Sequence, residues 1–159
     1  MHLFERAEAR AAVVTSAVLD AAVGRLLWAP ASAAGFEGAW WPRSGDAARE
    51  LRDLVPAVSE HVGGAITRVS LNMDAWTGDH PRRLRLADRI VRVGWFHSID
   101  PAIVTLGRGT FDRVTLLLVP FDLSESAGGD VMARLASLPS WPTTAAAALA
   151  GAVAPAPAS

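Results

Sequence analysis

The hydrophobic period of this chain changes at Gly63-Gly64, and that change restricts it to folds in which a helical segment is followed by a run of strands. Before the glycines, Ala47, Ala48, Leu51, Leu54, Val55, Val58 and Val62 recur at helical spacing. Ser44 or Asp46 is placed to cap the start, and the glycines to stop it. Pro56 interrupts the pattern, but Asp53 can cap a second helix that holds Pro56 in its first turn, where no intrahelical N–H is lost. The sequence therefore predicts a helix, a kink near Asp53 and a second helix. After the glycines the period is two: Thr67, Val69, Leu71 and Met73 alternate with Ile66, Arg68, Ser70 and Asn72, the pattern of a strand with one buried face.

Further strands are predicted at 84–86, at 90–97 with Val91, Val93, Trp95 and His97 on one face, and at 103–106 and 113–119 as a hairpin around a glycine-containing loop. The apolar run Val114–Val119 reads as a central strand covered on both faces. An earlier strand, Arg25–Ala29, stops at Pro30. A last helix, capped near Ser124 or Asp130, carries Val131, Met132, Leu135 and Leu138. Short connections favour antiparallel pairing, and an apolar sheet face must be covered. The expected fold is therefore α+β, a mainly antiparallel sheet of about five or six strands covered by a kinked helix pair and a C-terminal helix, loosely like helix-grip folds that hold a ligand between sheet and helix. Residues 1–24 read as an alanine-rich N-terminal extension, 25–141 as a single α+β domain, and 142–159 as a disordered Ala/Pro tail.

Composition narrows the chemistry. With no cysteine, disulfides, thiol catalysis and cysteine-bound metal centres are excluded, and a reducing compartment suits the chain. The formal net charge of −1 gives no overall basic surplus for nucleic acid or anionic lipid. All fifteen basic residues are arginine, and Arg82, Arg83, Arg85, Arg89 and Arg92 crowd one hairpin, which reads as a solvated edge resisting strand pairing. Near the start, Glu5 and Glu8 offset Arg6 and Arg10, and Asp20 interrupts the apolar stretch, unlike a signal peptide. No run reaches the about 18 apolar residues of a membrane span. A cytoplasmic domain without membrane or nucleic-acid partners is expected.

The densest recognition-like cluster is Gly38-Ala39-Trp40-Trp41-Pro42-Arg43-Ser44-Gly45-Asp46, where aromatic rings and a guanidinium precede a helix start. Two neighbouring tryptophans in extended chain point to opposite sides, so at most one lines a pocket. As scaffolding, Trp40 would plug the sheet, Ser44 or Asp46 would cap the helix, and Arg43 would pair with Glu37 or Asp46. As a ligand site, Trp41, Arg43, Ser44, Asp46 and Trp76 are the residues expected to touch a small molecule or a protein partner. No metal site and no cofactor is expected, because the chain has no His-Glu-x-x-His, Gly-x-Ser-x-Gly, Walker loop or strand-borne Gly-x-Gly-x-x-G.

The segment Gly38–Ser44 with Glu50-Leu51, the Arg68-Val69 strand leading to Trp76, and Val93-Gly94-Trp95-Phe96 together resemble an uncharacterised actinobacterial family, domain-of-unknown-function family 5994, over about residues 25–138. Glu37 stands where that family carries aspartate, and Pro56 lies farther along than the family's proline. The resemblance implies location and architecture and no reaction. The leading expectation is a non-catalytic binding domain. A hydrolase or isomerase using Asp46, Asp74 and His97, and a structural partner subunit, are the alternatives.

Overall fold

In the computed structural model, which describes residues 25–29, 35–87, 89–108, 112–142 and 144–153, seven strands form one open mixed sheet. They are β1 (Arg25–Trp28), β2 (Gly38–Trp41), β3 (Arg68–Asn72), β4 (Arg83–Arg85), β5 (Ile90–Phe96), β6 (Ile103–Arg108) and β7 (Asp112–Leu118). Among the described residues three α-helices accompany them: α1 (Ala47–Val62), α2 (Glu125–Ser137) and α3 (Ala145–Val153). The order across the sheet is β1-β2-β7-β6-β3-β5-β4. Outward from β6, each side meets an antiparallel neighbour, then a parallel pairing, then an antiparallel edge strand. As a result β2, β7, β3 and β5 all run the same way, and their C-terminal ends share one margin of the sheet.

Alternation decides which helix covers which face. Val69, Leu71, Val91, Val93, Val104, Leu106 and Leu116 point to one side and bury against Leu51, Leu54, Val55 and Val58 of α1. Each such aliphatic side chain contributes about 1.5–3 kcal/mol on removal from water. On the other side, Leu27, Ala39, Trp41, Leu117 and Val119 pack under Val131, Met132 and Leu135 of α2 and Ala145 and Ala148 of α3. That second layer spans β1, β2 and β7. Over β6, β3, β5 and β4 the second face carries no helix among the described residues.

The α+β class holds, with differences of detail. The sheet is mixed and has seven strands because the extended double-tryptophan segment, not counted as a strand from sequence, forms β2 and pairs with β7 in parallel, and β3 pairs in parallel with β5. Short connections do give antiparallel pairs at β1–β2, β4–β5 and β6–β7. The parallel partners come from strands distant in sequence, which local spacing does not encode. The kinked helix pair is instead one helix of 16 residues with Pro56 inside it. Pro56 and Arg52 are both exposed, so the carbonyl deprived of its i+4 donor faces water, where the loss is smallest. Asp46 caps this helix through the Arg49 N–H, and Gly63 ends it with φ 74°, a left-handed cap.

The C-terminal reading also changes. Residues 142–159 were expected to be a disordered tail, yet α3 lies within them. Thr144 accepts the Ala147 N–H at 3.1 Å and starts the helix, alanine favours its continuation, and Ala145 and Ala148 are buried beneath the second layer. The N-terminal extension 1–24 and residues 154–159 lie outside the described residues.

Candidate functional site

The Trp-Trp-Pro-Arg-Ser segment leaves β2 at the margin where the co-directional strands end. Its two tryptophans diverge, as extended backbone requires. Trp40 is fully buried on the α1 side, its ring centroid 5.5 Å from that of Trp76. Trp41 is 2% exposed and lies under α2, so close to Gly128 that a β-carbon there would stand 1.9 Å from Cζ2 of the indole.

The loop after Trp41 is held by a residue that the sequence reading did not single out for this role. Glu50, in the first turn of α1, is 5% exposed. Its Oε1 accepts the Arg43 N–H at 3.1 Å, and its Oε2 accepts the Ser44 O–H at 2.7 Å. Ser44 Oγ in turn accepts the Asp46 N–H at 3.3 Å, and Asp46 caps α1. Hydrogen bonds donated to a carboxylate are stronger than those between neutral groups. The loop is also joined to the β3 exit: Thr77 donates its N–H to the Gly45 carbonyl at 3.0 Å, and Asp46 and Thr77 form an isolated bridge. A β-carbon at Gly45 would lie 2.6 Å from Thr77 Oγ1 and 2.8 Å from Phe121 Cζ, so three chain segments meet there with no spare room. Glu37 is engaged elsewhere, accepting the Thr115 N–H at 2.7 Å. Glu50 stands one place beyond the capping-box position three residues after Asp46, which Arg49 holds, so no local pattern marked its role.

At the same margin lies a cleft of about 350 Å³. Its walls come from Pro42 after β2, Ala75 and Trp76 after β3, Pro101 and Ala102 before β6, Leu118, Pro120 and Phe121 at the end of β7, and Leu149 of α3. The polar lining residues are Asp74, Thr77 and Asp122. Asn72 shapes the rim: its side chain accepts the Asp74 N–H and donates to the Ile99 carbonyl, both at 2.7 Å.

Of the five residues expected to contact a ligand, Trp76 alone lines this cleft. Trp76 is 5% exposed, and its Nε1 is buried without a hydrogen-bond acceptor. Arg43, Ser44 and Asp46 sit next door in the Glu50-held loop, and Trp41 is on the far side of the sheet from Trp76's partner Trp40. Asp74 and His97, read as members of an acid–base set, do come together: His97 Nδ1 is 3.4 Å from Asp74 Oδ2, with both side chains 72% exposed. His97 follows the end of β5 and does not share the buried face of Val91 and Val93. Asp122, Phe121 and Leu149 entered the site unforeseen, because nothing local shows that the segment after β7 and the alanine-rich helix fold back to one margin. Among the described residues, no three His, Cys, Asp or Glu side chains group as metal ligands, and no helix is long and apolar enough to cross a membrane.

Compared with known proteins, residues 25–135 match the model of a family of unknown function, DUF5994. No curated protein and no solved structure matches the chain.

Proposed function

Given that the chain belongs to the DUF5994 family, we propose that it is a binding domain whose cleft takes a small, largely apolar molecule bearing a cationic or hydrogen-bond-donating group. The observation that carries this reading is the lining itself: a concave, mainly apolar cleft of ligand size with two carboxylates, Asp74 and Asp122, and one hydroxyl, Thr77. Apolar walls supply the driving force, and few polar groups fix orientation. Both carboxylates accept hydrogen bonds, so the complementary ligand donates them. The Glu50-held loop keeps Pro42 and its neighbours in place at the cleft wall. A cysteine-free domain of this kind suits the cytoplasm.

A hydrolase or isomerase reading rests on the Asp74–His97 contact. It is the weaker one: that pair stands in solvent, and Asp46, the third residue of the set, is occupied as the cap of α1. Native mass spectrometry of protein purified from its own host tests the proposal. A retained small molecule is expected, lost in Ala102→Phe, which fills the cleft from its rim while the fold persists by circular dichroism. Equal retention by that variant, or no retained molecule together with no thermal shift across a panel of amphiphilic amines, would refute cleft binding. Turnover of a retained compound that disappears in His97→Ala would favour the enzyme.

A further inference from the structure

On the helix-free part of the second face, strand register lines up arginines. Arg83 on β4 stands opposite Arg92 on β5, Arg92 opposite Arg68 on β3, and Arg68 opposite Gly107 on β6, with Arg113 on β7 next in the row. All four arginines are exposed, and none makes an ion pair with a described residue. Like charges directly opposite one another destabilise a sheet. A face that is merely solvated relieves this by alternating signs, and this row does not alternate. Protection of a sheet edge accounts for Arg83 and Arg85 on β4, but β5 and β3 have neighbours on both sides, so it leaves Arg92 and Arg68 unexplained.

A second row beside the arginines is small and polar: Gly94, Ser70, Thr105 and Thr115 face one another across four strands. Phe96 rests over Gly94, where a β-carbon would lie 2.8 Å from Cε2 of the ring, and the residue remains 45% exposed. Arg68, Ser70, Arg83, Arg92, Gly94 and Phe96 line one shallow depression of about 400 Å³. The whole-chain charge of −1 conceals this, because balancing carboxylates lie elsewhere, among them Asp74 and Asp122 at the cleft.

We infer that this face binds single-stranded nucleic acid, with phosphates along Arg83, Arg92, Arg68 and Arg113 and a base stacked on Phe96. The row crosses four inter-strand steps, about 19 Å at the usual strand spacing, which is more than one phosphate or one nucleotide can engage. A linear polyanion matches a line of charge, and an exposed aromatic beside it matches an unstacked base. A second copy of the chain does not fit, since it would set arginine against arginine. The surface is separate from the cleft and does not depend on its occupant.

Fluorescence anisotropy with labelled mixed-sequence DNA and RNA single strands of about 12 nucleotides tests the inference, the two strands distinguishing which nucleic acid is preferred. Four phosphate contacts at a slope of about 0.7 each predict roughly 50-fold weaker binding on going from about 50 to about 200 mM salt. The Arg68→Gln/Arg92→Gln double variant, which removes repulsion and so keeps the fold, is expected to weaken binding and to flatten that slope by about half. Phe96→Ala is expected to weaken binding about 5- to 150-fold with the slope unchanged. The inference is overturned if neither strand binds, if the double variant binds as wild type, if Phe96→Ala has no effect and inorganic polyphosphate binds equally well, or if only anionic vesicles are bound.

Discussion

Gly128 and Gly129 are adjacent in α2, and replacing each by alanine is expected to move stability in opposite directions. Both are interior helical positions, where alanine is favoured over glycine by about 1 kcal/mol. At Gly129 a β-carbon meets nothing within 4 Å, so that gain is realised in full. At Gly128 the same carbon would stand 1.9, 2.2 and 2.3 Å from three atoms of the Trp41 indole. Trp41 is confined by the sheet below it and by Val131, Met132 and Leu135 in the same cluster, so α2 must lift by more than an ångström or the ring must leave its rotamer. Overpacking of this kind costs about 3 kcal/mol, the upper part of its usual range. The net expectation is about −2 kcal/mol for Gly128→Ala and about +1 kcal/mol for Gly129→Ala. Urea unfolding followed by tryptophan fluorescence and circular dichroism reads both. With an m-value of about 2 kcal/mol/M, the midpoints should differ by about 1.5 M, and the thermal midpoints by roughly 6–12 °C. Coincident midpoints would mean that α2 does not sit on Trp41, and the second layer of the fold would have to be redrawn.

Leu117→Ala is expected to cost about 2–5 kcal/mol in urea unfolding, since Leu117 is fully buried in a strand with a neighbour on either side. Glu50→Ala should cost about 3 kcal/mol or more in urea unfolding by removing the acceptor of both the Arg43 N–H and the Ser44 O–H. A chain ending at residue 142 loses α3 and with it the Leu149 wall of the cleft. It should remain folded by circular dichroism, bind a dye for exposed apolar surface and retain less of any cleft ligand.

What was legible in the sequence was whatever repeats over a few residues. The alternation in 66–73 placed β3, the 3.6-residue spacing placed α1, and the opposed directions of Trp40 and Trp41 followed from extended backbone alone. Pro56 misled because its cost depends on whether Arg52 faces water, which is a tertiary fact. The parallel pairing of β2 with β7, the role of Glu50 in holding the loop, and the arrival of Asp122 and Leu149 at the cleft all join segments whose mutual distance no local pattern records. The arginine row has the same origin: Arg68 and Arg92 are unremarkable in their own strands, and only the register of β3 with β5 makes them neighbours.

The pairing of β2 with β7 also sets an order of events during synthesis. Glu37 and Thr115, which exchange hydrogen bonds beside that pairing, are 78 residues apart. Until the ribosome has released the chain to about Val119, β1 and β2 have only each other, and a lone two-stranded hairpin is marginal in water. Trp41 then waits without the cover of α2, which is made later still. The decisive step of folding accordingly awaits β7, and closing such distant contacts is slow. The interval before β7 emerges is when the chain is most open to aggregation.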